Sequence, residues 1–154
     1  MITTCSFESP VGTLRLFAKG DALVGLSLPD RDAPEGAVGD APVLREARAQ
    51  LAAYFSGRCL RFDLPLAPEG TTFQRSVWDA LLTIPAGATA TYGEIAARIG
   101  KPHAARAVGM ANHDNPIAIV IPCHRVIGAD GTLTGYSGGL EAKRWLLSHE
   151  GVAA

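Results

Sequence analysis

The segment Leu64-Pro-Leu-Ala-Pro-Glu-Gly70 interrupts any regular element, and the hydrophobic rhythm of the chain changes across it. Before it lie three short β-rich runs, Thr3–Glu8, Gly12–Ala18 and Ala22–Leu28. The turn residues Ser9-Pro10-Val11-Gly12 and Lys19-Gly20-Asp21 separate them, which predicts an antiparallel meander. Pro29–Pro42, rich in Asp, Gly, Ala and Pro, predicts a surface loop. Leu44, Ala47, Leu51 and Tyr54/Phe55 fall near helical spacing and predict a helix over Val43–Phe55, with Arg61–Leu64 as a further strand. Placing the boundary at the proline segment gives an α+β fold. Residues 1–70 form a small antiparallel-sheet domain with a helix, and residues 71–154 form a mostly helical domain.

Two capping boxes organise the second half. Thr71-Thr72-Phe73-Gln74 opens a helix through Phe73, Val77, Leu81 and Ile84, stopped by Pro85 and Gly87. Thr91-Tyr92-Gly93-Glu94 opens a short helix that Gly100 ends. Pro102 suits the first turn of a third helix running to about Asn112, and the pair matches a helix-turn-helix. Wound at about 100° per residue, the third helix places Ala104, Ala107, Val108 and Ala111 inward. Pro102, Arg106, Gly109 and His113 lie on the opposite face, with Ala105 at its edge. A helix with its side chains is about 10–12 Å across, whereas an undistorted minor groove is about 6 Å wide. A thin face with one protruding arginine suits a narrowed or pried-open groove, although a small-residue helix packed on another helix has the same pattern.

Composition excludes several classes. The 154 residues are 47% hydrophobic and 19% charged, a globular balance. The longest wholly apolar run, Ile117–Ile121, is too short to cross a bilayer, and Met1-Ile2-Thr3-Thr4-Cys5 has no signal-peptide pattern. A cytoplasmic protein without membrane association is expected. Cys5, Cys59 and Cys123 are widely spaced and odd in number, against a disulfide framework, and the four histidines lack metal-ligand spacing. Neither a metal nor a cofactor is expected. Residues 1–70 carry 7 Lys+Arg against 9 Asp+Glu, net −2; residues 71–154 carry 7 against 6, net +1. This asymmetry is too weak to identify a nucleic-acid partner by charge.

The chemistry gathers after the third helix. Asn115-Pro116 ends that helix, because a residue before proline disfavours helical geometry. Ile117–Ile121 reads as a fully buried strand delivering Pro122-Cys123-His124-Arg125-Val126 at its end. A lone buried cysteine is usually an inert small hydrophobe. His124 and Arg125 beside it point instead to an activated thiol. On an extended strand neighbouring side chains face opposite ways, so His124 reaches Cys123 directly only if the chain turns, and otherwise through a water. Gly135–Gly139 is glycine-rich enough to approach a flat ligand or to be a plain surface turn. Leu140–Glu150 closes the chain as a helix with Gly151 as its stop. Glu150 either reaches back to orient His124 or remains a solvated carboxylate.

These residues carry a resemblance. Ile121-Pro122-Cys123-His124-Arg125-Val126 resembles the active-site motif of the O6-alkylguanine-DNA alkyltransferases. Matching blocks follow in order from Thr72 to Gly151: Thr91-Tyr92, Ala104–Gly109, Asn115-Pro116, Tyr136–Gly139 and His149–Gly151. The N-terminal third contributes only Ser9-Pro10-Val11-Gly12. The resemblance implies single-turnover transfer of a methyl or other alkyl group from O6-alkylguanine in DNA to Cys123. It makes His124 the base acting through water, Glu150 the carboxylate that orients it, and Asn115 a brace between motifs. Tyr92 helps rotate the nucleotide and assists guanine as a leaving group, with Lys143 near that step. Arg106 fills the stack once the base leaves, in a DNA-binding surface that includes Ala104, Ala105, Gly109 and Tyr92. Val126, Tyr136 and Ser137 line the base pocket. A winged-helix-like second domain, a monomer in solution and double-stranded DNA as partner are implied as well.

Departures narrow the type. The metal-binding Cys and His residues of some members have no clear counterpart, which implies no zinc, and a type fused to a regulatory domain is not expected. Cys123 distinguishes the chain from alkyltransferase-like proteins that bind lesions without acting on them. A non-catalytic lesion-binding protein is the alternative, and a thiol hydrolase is a second rival.

Overall fold

β1 (Ile2–Ser9) and β2 (Gly12–Lys19) form a hairpin in register from Ile2 opposite Lys19 to Ser9 opposite Gly12. Gly12 holds φ at +103°, and a Cβ there would stand 2.6 Å from Pro29, so a side chain is excluded twice over. β3 (Ala22–Ser27) returns antiparallel to β2, with a register shift at Phe17/Ala18. The computed structural model describes residues 1–29, 31, 33–133, 136 and 139–152. Along β2, Leu14 and Leu16 are buried while Thr13 and Arg15 are not; at the bulge both Phe17 and Ala18 turn inward. α1 (Pro42–Phe55) packs on these strands through Val43, Leu44, Ala47, Leu51 and Tyr54.

The meander thus forms as the sequence indicates, with additions that local patterning could not reveal. The Asp/Gly/Pro segment contains a two-residue strand, β4 (Ala37–Val38), paired parallel to β1 beyond the expected loop. Gly36 allows this approach, since its Cβ would lie 3.0 Å from the Ile2 carbonyl oxygen. Arg61–Leu64 is not a strand. Pairing begins instead at Leu66, which bridges Leu23 through Leu23 N to Pro65 O and Ala67 N to Leu23 O, at 2.8 and 2.9 Å. The proline segment is therefore bonded to β3 rather than a bare tether.

Contacts divide the chain into two units. One comprises Met1–Pro68 with Pro116–Val120, and the other Glu69–Asn115 with Ile121–Ala154. The assignment of residues 116–120 to the first unit reflects backbone bonds: Leu26 N donates to Pro116 O at 2.9 Å and Ala118 N to Leu26 O at 3.0 Å. This corrects the expected strand over Ile117–Ile121. Only Ile117 pairs, after which Ala118–Val120 form a turn with Val120 N donating to Ala118 O at 2.8 Å. Ile119 sits at φ +70°, where a β-branched side chain is strained. Five apolar residues in a row indicate burial, not extension.

In the second unit α2 (Thr72–Leu81) buries Val77, Trp78 and Leu81, and Trp78 Nε1 donates to Ala111 O at 2.9 Å. Both capping boxes form, Thr71 with Gln74 and Thr91 with Glu94. A two-residue parallel pair, β5 (Ala90–Thr91) with β6 (Val126–Ile127), precedes α3 (Tyr92–Arg98). Gly100 at φ +76° ends α3: Gly100 N donates to Ala97 O and Lys101 N to Ala96 O. α4 begins at Ala105 and runs to His113, so Pro102 lies in the intervening turn and not in the helix. Ala104 N donating to Lys101 O at 2.9 Å closes that turn. α3 and α4 pack together as a helix-turn-helix. α5 (Leu140–His149) ends at Glu150 with Gly151 at φ +94°. No helix among the described residues is long and apolar enough to cross a membrane.

Gly70 supports the start of this unit. A Cβ there would lie 2.5 Å from the Trp78 ring and 2.7 Å from Gln74 Oε1, striking a buried indole and the capping box together. Gly70→Ala is expected to cost about 1–3 kcal/mol by overpacking, read as a lower urea midpoint at unchanged m-value. An unchanged midpoint would contradict this packing.

Candidate active site

Cys123, His124 and Arg125 form one turn of 3-10 helix immediately after Pro122. The expected strand end is therefore a turn, and the alternation that would send Cys123 and His124 to opposite faces does not apply. Cys123 N donates to Ile121 O at 2.8 Å, and Arg125 N to Pro122 O at 3.0 Å. Two asparagines hold the turn to α4 and its C-terminal end. Asn115 Nδ2 donates to Ile121 O at 2.8 Å and Asn112 Nδ2 to Cys123 O at 3.3 Å. Both asparagines and all three residues of the turn are buried.

His124 is fully enclosed, and its Nε2 lies 2.8 Å from Glu150 Oε2. A carboxylate can only accept, so Nε2 carries the hydrogen and Nδ1 of the neutral ring carries the lone pair. That Nδ1 has no hydrogen-bond partner among the described residues. Burial pushes the His124 pKa down. The Glu150 hydrogen bond and charge oppose the shift, while the Arg125 and Lys143 charges add to it. Glu150 is buried rather than solvated, and the stop at Gly151 explains its placement. Gly151 N donates to Ser148 O and Val152 N to Leu147 O, which fixes Glu150 as the C-cap of α5.

Arg125 completes the cluster. Nε donates to Glu150 Oε1 at 2.7 Å, one terminal nitrogen to Oε2 at 2.9 Å, and the other to the Ile84 carbonyl at 2.6 Å. Its side chain is thus committed to the carboxylate and the end of α2. Lys143 on α5 is buried and donates to Val126 O at 2.6 Å. Burial lowers its pKa to about 8, and the Cys123 charge pulls it back up. The interaction is reciprocal: the Lys143 ammonium favours the Cys123 thiolate. Val126 and Tyr136 are buried, while Ser137 and residues 135 and 138 of the expected binding loop lie outside the described residues. No group of three or more His, Cys, Asp or Glu side chains that could hold a metal occurs among the described residues.

Tyr92 is the first residue of α3, and its ring lies 3.8 Å from where a Cβ on Gly109 would stand. Gly109 therefore faces the tyrosine with room for a Cβ at ordinary packing distance. On α4, Arg106 and His113 are exposed, Ala104 and Ala105 half-buried. Ala107 is also exposed, contrary to the inward position expected of it; the buried residues are Val108, Ala111 and Asn112. Tilting the inward face by one residue brings Asn112 under cover, where it bonds Cys123. Sequence reasoning left out Asn112, and it named Arg125 only as a charge near the thiol and not as the partner of Glu150. For Asn112 the signal was a polar side chain three and four residues beyond Gly109 and Val108, at an inward helical position.

The sequence model described as the 6-O-methylguanine DNA methyltransferase DNA binding domain matches residues 72–152, and that of its ribonuclease-like domain matches residues 3–68. A methylated-DNA–protein-cysteine methyltransferase of Methanosarcina acetivorans is 52% identical over 94% of this chain and 96% of its own. That of Mycobacterium leprae is 51% identical over 97% and 93%. Among solved structures, Mycobacterium tuberculosis OGT in complex with DNA superposes with a TM-score of 0.91 at 50% identity, covering 96% of this chain and 92% of that one.

The neutral buried His124 has a measurable consequence. Its folded pKa lies below the unfolded value near 6.5, so under acid the unfolded chain takes up the proton first. The stabilisation is fully present above about pH 6.5 and declines as pH falls towards the folded pKa, by up to about 1.4 kcal/mol per pH unit. Urea midpoints between pH 7.5 and 5.5 are expected to fall more steeply for the wild type than for His124→Gln. Parallel slopes would mean that His124 does not take up this proton.

Proposed function

The chain belongs to the 6-O-methylguanine DNA methyltransferase family, and from that premise we propose that it repairs DNA by moving an alkyl group from O6-alkylguanine onto its own Cys123. The observation that carries this reading is the buried turn holding Cys123 beside a neutral histidine whose Nε2 is engaged by Glu150. His124 Nδ1 takes the thiol proton through a water. The Cys123 thiolate attacks the alkyl carbon as the carbon–O6 bond breaks, its electron pair passing to guanine; Tyr92 gives the departing base a proton and regains one through solvent, so that the proton taken up by His124 balances the one that guanine gains. A thioether remains on Cys123. It has no easy hydrolysis route, so each molecule acts once.

Other side chains serve this step. The Lys143 ammonium, 2.6 Å from the Val126 carbonyl, favours the thiolate and supports the departing base. Asn115 holds the Ile121 carbonyl and braces the turn. A buried thiol cannot reach a stacked base, so the nucleotide leaves the duplex, at a cost of a few kcal/mol. Exposed Arg106 fills the gap, with Ala104, Ala105 and Gly109 giving a thin face to the groove and Tyr92 guiding the nucleotide. Val126, Tyr136 and Ser137 receive the base. The protein acts as a monomer, in the cytoplasm, on double-stranded DNA.

Incubation with a duplex carrying O6-methylguanine is expected to add one methyl group, mapped by intact mass and peptide analysis to Cys123. Cys123→Ser is expected to bind the duplex without transfer, a hydroxyl being far less ionised than a thiol. Bound duplex with unmodified Cys123 in the wild type would instead establish the lesion-binding alternative. Arg106→Ala is expected to slow repair in duplex DNA while sparing transfer from free O6-benzylguanine, from which nothing must be flipped. Equal losses on both substrates would make Arg106 a structural residue.

A further inference from the structure

Arg125 has no part in the transfer as set out above, yet its guanidinium makes three hydrogen bonds inside the cluster. Its fork spans both oxygens of Glu150, Oε1 at 2.7 Å and Oε2 at 2.9 Å, while Oε2 also takes His124 Nε2 at 2.8 Å. The remaining terminal nitrogen is fixed on the Ile84 carbonyl at 2.6 Å. Both side chains are almost wholly enclosed. Gly87, three residues beyond Ile84, packs against the Glu150 backbone, where a Cβ would lie 3.3 Å from its carbonyl oxygen. The end of α2, the 3-10 turn and the end of α5 therefore meet through this one guanidinium.

We propose that Arg125 is a positioning residue that shares the Glu150 carboxylate with His124 and so keeps His124 an unprotonated base at neutral pH. The inference rests on the alkyl-transfer reading, in which His124 must accept a proton from Cys123. A buried carboxylate facing an imidazole alone draws a proton onto the ring, because the ion pair is the better-satisfied arrangement in a dry site. An imidazolium has N–H on both nitrogens and no lone pair for the thiol proton. Arg125 removes that tendency in two ways. It neutralises the carboxylate, and it places a positive charge near the ring. Burial is the largest influence holding the ring neutral; of the charged groups acting on it, Glu150 at the end of α5 favours protonation, while Arg125 from its own turn and Lys143 from α5 oppose it. Among the described residues, the segment after α2 and the body of α4 supply neutral groups to the cluster, the Ile84 carbonyl and the Asn112 amide. Arg125 lies two residues after Cys123 in sequence, and its influence on the thiol passes through His124.

The test is the pH dependence of single-turnover methyl transfer from a saturating O6-methylguanine duplex, for wild type, Arg125→Lys and Arg125→Met. The wild-type rate is expected to hold down to pH 6.5 or below. In Arg125→Met the acid limb is expected to move up by about one pH unit or more, so that transfer at pH 6.5 falls to about half of the wild-type rate or less and recovers towards pH 9. Arg125→Lys keeps the charge without the fork, so its limb stays near the wild-type position on a lower plateau. If Arg125→Met does not fold, Arg125→Gln, a donor without charge, carries the same expectation. Variants that lose rate or stability with the acid limb unmoved would reduce Arg125 to a structural clamp and overturn the proposal. Wild-type protein that transfers nothing at any pH would remove the alkyl-transfer reading itself, a separate result.

Discussion

The buried carboxylate of Glu150 is the constraint around which the second unit is arranged. A lone carboxylate away from water is severely disfavoured, and burial is tolerated only where charged hydrogen bonds replace hydration. Glu150 has three, one from His124 and two from Arg125. Meeting them requires the C-cap of α5 and the turn after Pro122 to converge, and Arg125 adds the end of α2 through Ile84. The glycine stop at Gly151 is thus more than a helix terminator. It fixes where the Glu150 side chain leaves the helix.

The nucleophile is held by backbone as much as by side chains. Neutral amides grip the carbonyls before and at Cys123, Asn115 on Ile121 and Asn112 on Cys123 itself. Such bonds position the thiol without adding charge to its surroundings. The charge comes from Lys143, a buried ammonium whose pKa near 8 leaves it mostly protonated at neutral pH. A cation whose charge interacts with Cys123 and a neutral imidazole on the same turn make up the electrostatic setting of the thiol.

The helix-turn-helix follows a different physical logic. α3 and α4 are set by a capping box, a glycine stop and small residues, with charge at the exposed Glu94, Arg98, Lys101 and Arg106. DNA is the partner that membership of the family and the matched DNA binding domain support. The near-neutral chain agrees with few phosphate contacts.

Much of the architecture was legible locally. Both capping boxes, the turns at Ser9–Gly12 and Lys19–Asp21, the stops at Gly100 and Gly151 and the motif around Cys123 are short-range signals, because each depends on φ/ψ or hydrogen bonds within a few residues. What failed to appear depended on distant partners. Ile117–Ile121 reads as buried, but whether a buried run is pleated or turned depends on neighbouring backbone, and only Ile117 finds a partner, at Leu26. Pro102 is compatible with a helix start, yet the Lys101–Ala104 turn displaces that start to Ala105. Asn112 and Arg125 each had a visible oddity, a polar residue facing inward and a cation beside a cysteine, but not a visible partner. By itself the sequence determined the local turns and caps and the family, and it singled out Cys123 as the candidate nucleophile. Only the tertiary structure decided that Glu150 is buried, that Arg125 serves it and that His124 is neutral, because protonation is set by charges brought together from α5 and the Cys123 turn.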